Sequence, residues 1–269
     1  MNGIIINIDP VIFHLGGFEL RWYSLMIMLA IAAAVLISAY RGKKRGIAGE
    51  EIYSLAVWVI ISGIIGARLF HVIDHLSYYV SHPAQILQFQ GLAIWGGLAG
   101  GGAAVIAFSR IRSIPLGRLA DVVAPALITA QIIGRVGCII NGDAYGGITG
   151  LPWGFIYTNP GAFIPASLFG QPTHPYPVYE MLWNTAALLG ILQIERRFRT
   201  DGLVFLNYLS LYSAGRFLLT FVRQENAFLW GLQQAQLIAL LTVILSLSAM
   251  VYLTRKPVSK SAITYHQGP

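Results

Sequence analysis

Five arginines, Arg21, Arg68, Arg135, Arg216 and Arg223, stand at or just inside one end of long apolar runs. A charge placed in hydrocarbon is costly, so such a residue faces a bundle interior or a watery cavity and takes a partner there. A guanidinium stays charged when buried and presents a planar fork that grips two oxygens of a phosphate. Five of them at one depth point to a single anion site, a pocket for a phospholipid headgroup. Acidic and hydrogen-bonding groups recur at the same level: Tyr23, Asp74, Asn141, Asp143, His174, Tyr179, Glu180 and Tyr212. Any one of these serves equally well to lock two helices together; as a set they favour a site.

The elements that must carry these groups are read from composition and hydropathy. Of 269 residues, 56% are hydrophobic and 11% charged, and the mean hydropathy is +0.65. That leaves too little polar surface to coat a soluble globule. The expectation is an all-α polytopic membrane protein, a single integral membrane domain over residues 1–269. Seven windows of about 20 apolar residues qualify as transmembrane helices: 22–40, 52–74, 92–109, 119–140, 177–195, 202–222 and 231–254. The stretch 141–176, rich in Gly and Pro, forms an extracytoplasmic loop or head region. At least two of its aromatics Trp153, Phe155 and Tyr157 read as membrane-interface residues.

Charge sets the orientation. Arg41, Lys43, Lys44, Arg45, Arg110, Arg112, Arg118, Arg196, Arg197, Arg199, Arg255, Lys256 and Lys260 all fall in connectors on one side. By the positive-inside rule that side is cytoplasmic, which puts the N-terminus outside, the C-terminus inside and the arginine cluster toward the outer leaflet. Basic loops beside anionic lipid also account for the net charge of +7, so nucleic acid is not needed as a partner. Lys and Arg are absent from residues 1–20, so the first span reads as retained and not as a cleaved signal peptide.

A single cysteine, Cys138, excludes an intramolecular disulfide and a cysteine-based zinc cluster. His71 and His75 lie i, i+4, but apart from Asp74 no acidic or Cys partner completes a ligand set; no metal and no cofactor is expected. Gly96, Gly97, Gly100, Gly101 and Gly102 form a small-residue face suited to close helix packing.

The segment GRVGCIINGDAYGG at 134–147, followed by LPWGF and then HPYPVYE, resembles the signature region of the prolipoprotein diacylglyceryl transferase family, whose usual form runs GRxGNFxNGExxG, then PW, then HPxxLYE. IDPVIFHLGGFELRWYSLM, GARLF, LAIWGGLAGG and SLYSAGRFLLTFVRQEN agree as well, in order, over most of residues 8–230. The resemblance implies a transferase of the bacterial cytoplasmic (inner) membrane. It would move the diacylglyceryl group of phosphatidylglycerol onto the lipobox cysteine of a prolipoprotein signal peptide, with a thioether formed and glycerol 1-phosphate released.

By the same resemblance Arg135 and Arg216 contact the phosphate, with Tyr23 and Tyr212 beside them in the catalytic set. Arg68, Asn141, Gly142, Asp143, Gly146, Glu180 and Arg223 bind substrate, with Arg68 and Arg223 either shaping the pocket or pairing with Asp143 or Glu180. This chain departs from the pattern at Trp95, where many members have a histidine favoured as base, at Cys138 for Asn, at Asp143 for Glu and at Thr220 for a common Glu. Trp95 then lines the pocket, and His174 becomes the leading base. A non-catalytic relative that binds phospholipid or lipoprotein is the alternative, followed by an anionic-lipid transporter, against which the absence of repeat symmetry counts.

Overall fold

The computed structural model describes residues 3–16, 18–87, 91–198, 200–223 and 228–255. Arg199, Lys256 and Lys260 of the basic connectors, and residues 224–226 of the motif after the sixth apolar run, lie outside the described residues. Eight α-helices are present among those described: α1 (Trp22–Lys44), α2 (Gly49–Asp74), α3 (Leu76–Ser81), α4 (Ile94–Ile111), α5 (Leu116–Asn141), α6 (Tyr176–Ile194), α7 (Leu203–Thr220) and α8 (Gln234–Arg255). All but α3 coincide with the seven apolar windows. By length and composition α1, α2, α4, α5 and α8 are able to cross a membrane.

Two compact units divide the chain. Residues 1–34 and 123–269 form the first and 35–122 the second, with α1 and α5 running from one to the other. In the second unit α2 and α4 pack along a glycine seam. A Cβ on Gly66 would collide with the Gly96 carbonyl, one on Gly96 with the Gly66 carbonyl, and one on Gly100 with the Ser62 carbonyl. Backbone thus approaches backbone, the arrangement that small residues permit between membrane helices. Buried Asp121 takes Arg45 Nη1 at 3.2 Å.

In the first unit, α5, α6 and α7 meet around Ala124, Ile128, Ala187, Ile191, Val204 and Tyr208. Trp183 Nε1 donates to the Leu211 carbonyl at 2.9 Å, and Gly215 leaves room for the indole. The Ser210 and Ser246 hydroxyls join α7 to α8 at 2.7 Å. Pro125 interrupts the α5 ladder, and Thr129 Oγ1 donates to its carbonyl at 2.8 Å.

The region between α5 and α6 has a core of its own. Strand β1 (Ile4–Ile6) runs parallel to β4 (Phe155–Tyr157), which pairs antiparallel with β5 (Pro172–Thr173). A separate hairpin, β2 (Val11–Leu15) with β3 (Phe18–Arg21), leads into α1. Phe155, Tyr157, Ile164 and Leu168 are buried together. This corrects the interface reading of two of the three loop aromatics singled out: Phe155 and Tyr157 are 8% and 2% exposed, whereas Trp153 is 49% exposed. The strand pairing turns both rings inward. Tyr157 Oη donates to the Ile139 carbonyl at 3.0 Å, which fastens this small core to the end of α5, and burial pushes its phenol well above the ordinary range.

Candidate functional site

Helical spacing builds the centre of the site in the first unit. Arg135 lies on the last two turns of α5, Tyr176 and Glu180 are one turn apart at the start of α6, and Arg216 lies on the last two turns of α7. Glu180, 3% exposed, holds both arginines: Arg135 Nη2 is 2.5 Å from one carboxylate oxygen and Arg216 Nη1 is 3.3 Å from the other. Arg216 Nη1 also donates to the Tyr176 hydroxyl at 2.6 Å. The wholly buried Tyr176 ring serves as a floor, with the guanidinium carbons of Arg135, Arg216 and Arg223 at 6.0, 5.8 and 5.3 Å from its centre.

Two positive charges therefore share one negative charge, and a third arginine adjoins them. The side chains of Arg135 and Arg216 remain 21% and 20% exposed, so their outward edges are open to an anion. A buried pair of this kind holds its geometry before any ligand arrives, which is the condition for stabilising charge that develops during a reaction.

Around this centre the signature loop is folded back by glycine. At Gly142 (φ +74°) the chain leaves α5 in the left-handed region. Gly146 N–H donates to the His174 carbonyl at 3.0 Å, Gly147 N–H to the Val222 carbonyl at 2.9 Å, and His174 N–H to the Gly147 carbonyl at 2.9 Å. A Cβ on Gly146 would sit 2.6 Å from the Cβ of His174 and 2.8 Å from the Val222 oxygen. Loop 142–147, the segment before α6 and the end of α7 are thereby one woven unit, and Arg223 pairs by backbone with Gly146.

The expected site residues are placed unequally. Arg135, Arg216, Arg223 and Glu180 come together with Tyr176, and Tyr212 is within electrostatic reach of all four. Cys138 accepts a hydrogen bond from Arg135 Nη1 at 3.5 Å. Tyr23, 37% exposed, packs by its backbone against Gly137 and lies within electrostatic reach of Cys138, Asp143 and Arg135. Asp143 is exposed and forms no ion pair among the described residues. Asn141 is 4% exposed, and its Oδ1 has no hydrogen-bond partner among them.

His174 Nδ1 lies 3.3 Å from the Tyr179 hydroxyl, which accepts from Trp153 Nε1 at 3.0 Å. Glu180 engages Arg135 and Arg216, and Arg68 is tied elsewhere: its guanidinium donates to the carbonyls of Ile86, Gly91 and Gln85, at 2.9, 3.1 and 2.5 Å, within the second unit. An arginine capping three loop carbonyls has spent most of its donors on the backbone. Trp95, on the first turn of α4, is 42% exposed in that same unit. Arg21 stacks on Phe163 at 4.3 Å and reaches Glu19 at 3.4 Å.

Tyr176 is the residue missed by sequence reasoning. Its position four before Glu180 and two after His174 was the available signal.

The family profile for prolipoprotein diacylglyceryl transferase matches residues 10–252. Among individual relatives, the phosphatidylglycerol–prolipoprotein diacylglyceryl transferase of Dehalococcoides mccartyi is 36% identical over 260 residues, covering 96% of this chain and 99% of the relative. The protein of the same name from Clostridioides difficile is 35% identical over 250 residues (92% and 96%), and that from Geobacter sulfurreducens is 36% identical over 265 residues (94% and 98%). The match runs through the arginine-bearing helices and the folded-back loop alike, and the chain belongs to the prolipoprotein diacylglyceryl transferase family.

Proposed function

We propose that this chain transfers the diacylglyceryl group of phosphatidylglycerol to the lipobox cysteine thiol of a prolipoprotein. The thiolate sulfur attacks the glycerol carbon that carries the phosphate ester, the carbon–oxygen bond breaks, and glycerol 1-phosphate departs with the bonding pair. The observation that carries this reading is the Arg135–Glu180–Arg216 arrangement, which holds two guanidiniums fixed for the phosphate. Their fixed charge matches the charge that grows on the leaving oxygen.

The nucleophile must lose its proton, since thiolate and not thiol attacks. His174 is the proposed acceptor, in the tautomer whose Nδ1–H donates to the Tyr179 hydroxyl, which leaves Nε2 unprotonated and able to take the proton. Tyr23, within electrostatic reach of Arg135 and Asp143, would with Asp143 line the approach of the peptide. Asn141, Gly142 and Gly146 shape the wall that the lipid glycerol passes.

In this reading residues 1–269 act as one integral membrane domain with seven spans, the N-terminus outside and the C-terminus cytoplasmic. It resides in the bacterial inner membrane, with the site toward the outer leaflet and with no nucleic-acid partner or cofactor. Alkylation of free thiol in a lipobox peptide, followed in vesicles with and without phosphatidylglycerol, tests the activity. Thiol loss that depends on that lipid is the expected result; an unchanged thiol with lipid bound would favour the non-catalytic relative.

A further inference from the structure

Below the arginine pair, toward the N-terminal ends of α5 and α7, the helices repeat polar residues at one-turn spacing. On α5, Gln131 is four residues before Arg135; on α7, Tyr208 and Tyr212 are eight and four before Arg216. Gln131 Nε2 donates to the Tyr208 hydroxyl at 2.9 Å, and the Tyr208 and Tyr212 rings stack with centres 6.0 Å apart. The other end of the Gln131 amide is unsatisfied: Oε1 is shielded from solvent and has no hydrogen-bond partner among the described residues. Within an apolar helix bundle an unpaired amide group is expensive, so this position needs a partner. A tyrosine hydroxyl both donates and accepts, so the Gln131 amide pairs with Tyr208 in either orientation. Turned over, it offers its N–H groups to an acceptor.

We infer that Gln131 and Tyr212 form a subsite for the ester carbonyls of the lipid donor, with buried Tyr208 holding the Gln131 amide in place. The inference rests on the transferase reading above and deepens it. Four helical residues rise about 6 Å, and the headgroup region on each side of a bilayer is roughly 5–8 Å deep. A glycerolipid whose phosphate lies on Arg135 and Arg216 therefore has its two ester groups about one turn deeper, at the level of Gln131 and Tyr212. Ester carbonyls are acceptors only, and amide N–H and phenol O–H are the donors that suit them. The subsite would fix the glycerol backbone, and with it the carbon that the thiolate must reach. Main-chain carbonyls of the signal peptide are the competing occupant. The lipid is favoured because its phosphate and esters are joined in one molecule at the required separation.

The test compares two donors in the full-length protein: diacyl phosphatidylglycerol, and the dialkyl ether phosphatidylglycerol that lacks both carbonyls. Wild-type protein should favour the diester by about tenfold or more in kcat/KM. Gln131→Leu and, separately, Tyr208→Phe should lower diester turnover about tenfold while leaving the slower ether reaction unchanged, so that the preference collapses. Thermal melting of each variant checks that it is folded.

Equal use of both donors by wild-type protein would overturn the inference without any variant, and a raised peptide KM in the variants would then assign the groups to the peptide. Parallel loss with both donors would also overturn it, making Gln131–Tyr208 a helix-joining pair. Failure of wild-type protein with either donor would instead remove the transferase reading itself.

Discussion

Replacing Arg135 by lysine separates the charge of this side chain from its shape. In the structure the two terminal nitrogens diverge, Nη2 toward Glu180 at 2.5 Å and Nη1 toward Cys138 Sγ at 3.5 Å. A lysine ammonium is a single point and can keep only one of these places. The buried Glu180 carboxylate attracts it more strongly than a thiol does, so the ammonium should settle on Glu180 and leave the position beside Cys138 vacant. What is lost is one charge-assisted hydrogen bond to the phosphate, worth about 1.5–3 kcal/mol, which is roughly a tenfold to hundredfold drop in rate. The ion pair survives, so thermal stability should change little. The assay is kcat/KM with phosphatidylglycerol and a lipobox peptide at matched protein level, alongside a melting curve. Turnover within about threefold of wild type would refute the fork argument. A variant that melts much earlier would show that Arg135 holds the helices together more than it holds substrate.

Glu180→Gln should be the more damaging change to stability. It leaves two guanidiniums facing one another over Tyr176 without their shared carboxylate, and the loss should approach 3 kcal/mol, visible as a clear fall in melting temperature together with at least tenfold lower turnover. Gly146→Ala forces a methyl against His174 and the Val222 carbonyl, an overpacking cost of about 1–3 kcal/mol, and should displace the loop enough to lower kcat with protein still folded, as kinetics on the purified variant would reveal. His174→Gln should slow transfer about a hundredfold near neutral pH, with the deficit shrinking as pH rises toward the free thiol value of about 8.5. A loss that stays constant with pH would assign His174 to positioning through Tyr179.

Much of this arrangement is legible in the sequence because hydropathy over a span is a strong, local signal. The windows 52–74 and 177–195 meet α2 (Gly49–Asp74) and α6 (Tyr176–Ile194) to within a turn. Of the five arginines at the ends of apolar runs, Arg135, Arg216 and Arg223 gather around Tyr176, since their cost in hydrocarbon favours a shared polar centre, whereas Arg21 meets that cost on Phe163 and Glu19 and Arg68 on loop carbonyls. What was not legible depends on contacts distant in sequence. Phe155 and Tyr157 look like interface aromatics until β4 finds β1 some 150 residues earlier in the chain. Glu180 faces Arg135 and Arg216, and Arg68 turns to the carbonyls at 85–91; which carboxylate meets which arginine depends on the rotation of each helix, which spacing alone does not specify. Tyr176 carries no mark of its own in the sequence, since a tyrosine at the start of an apolar span is also what a membrane-interface anchor looks like.

The central claim is that the phosphate is held on Arg135 and Arg216 while the carbon–oxygen bond breaks and sulfur takes the carbon. The most direct measurement is the stoichiometry of products from purified protein, phosphatidylglycerol and a lipobox peptide, with mass spectrometry of the peptide and quantitation of released glycerol phosphate in the same reaction. The account predicts one diacylglyceryl thioether for each glycerol phosphate released, and neither product when the peptide cysteine is replaced by serine. Peptide that gains no mass, or glycerol phosphate released without thioether, would contradict it.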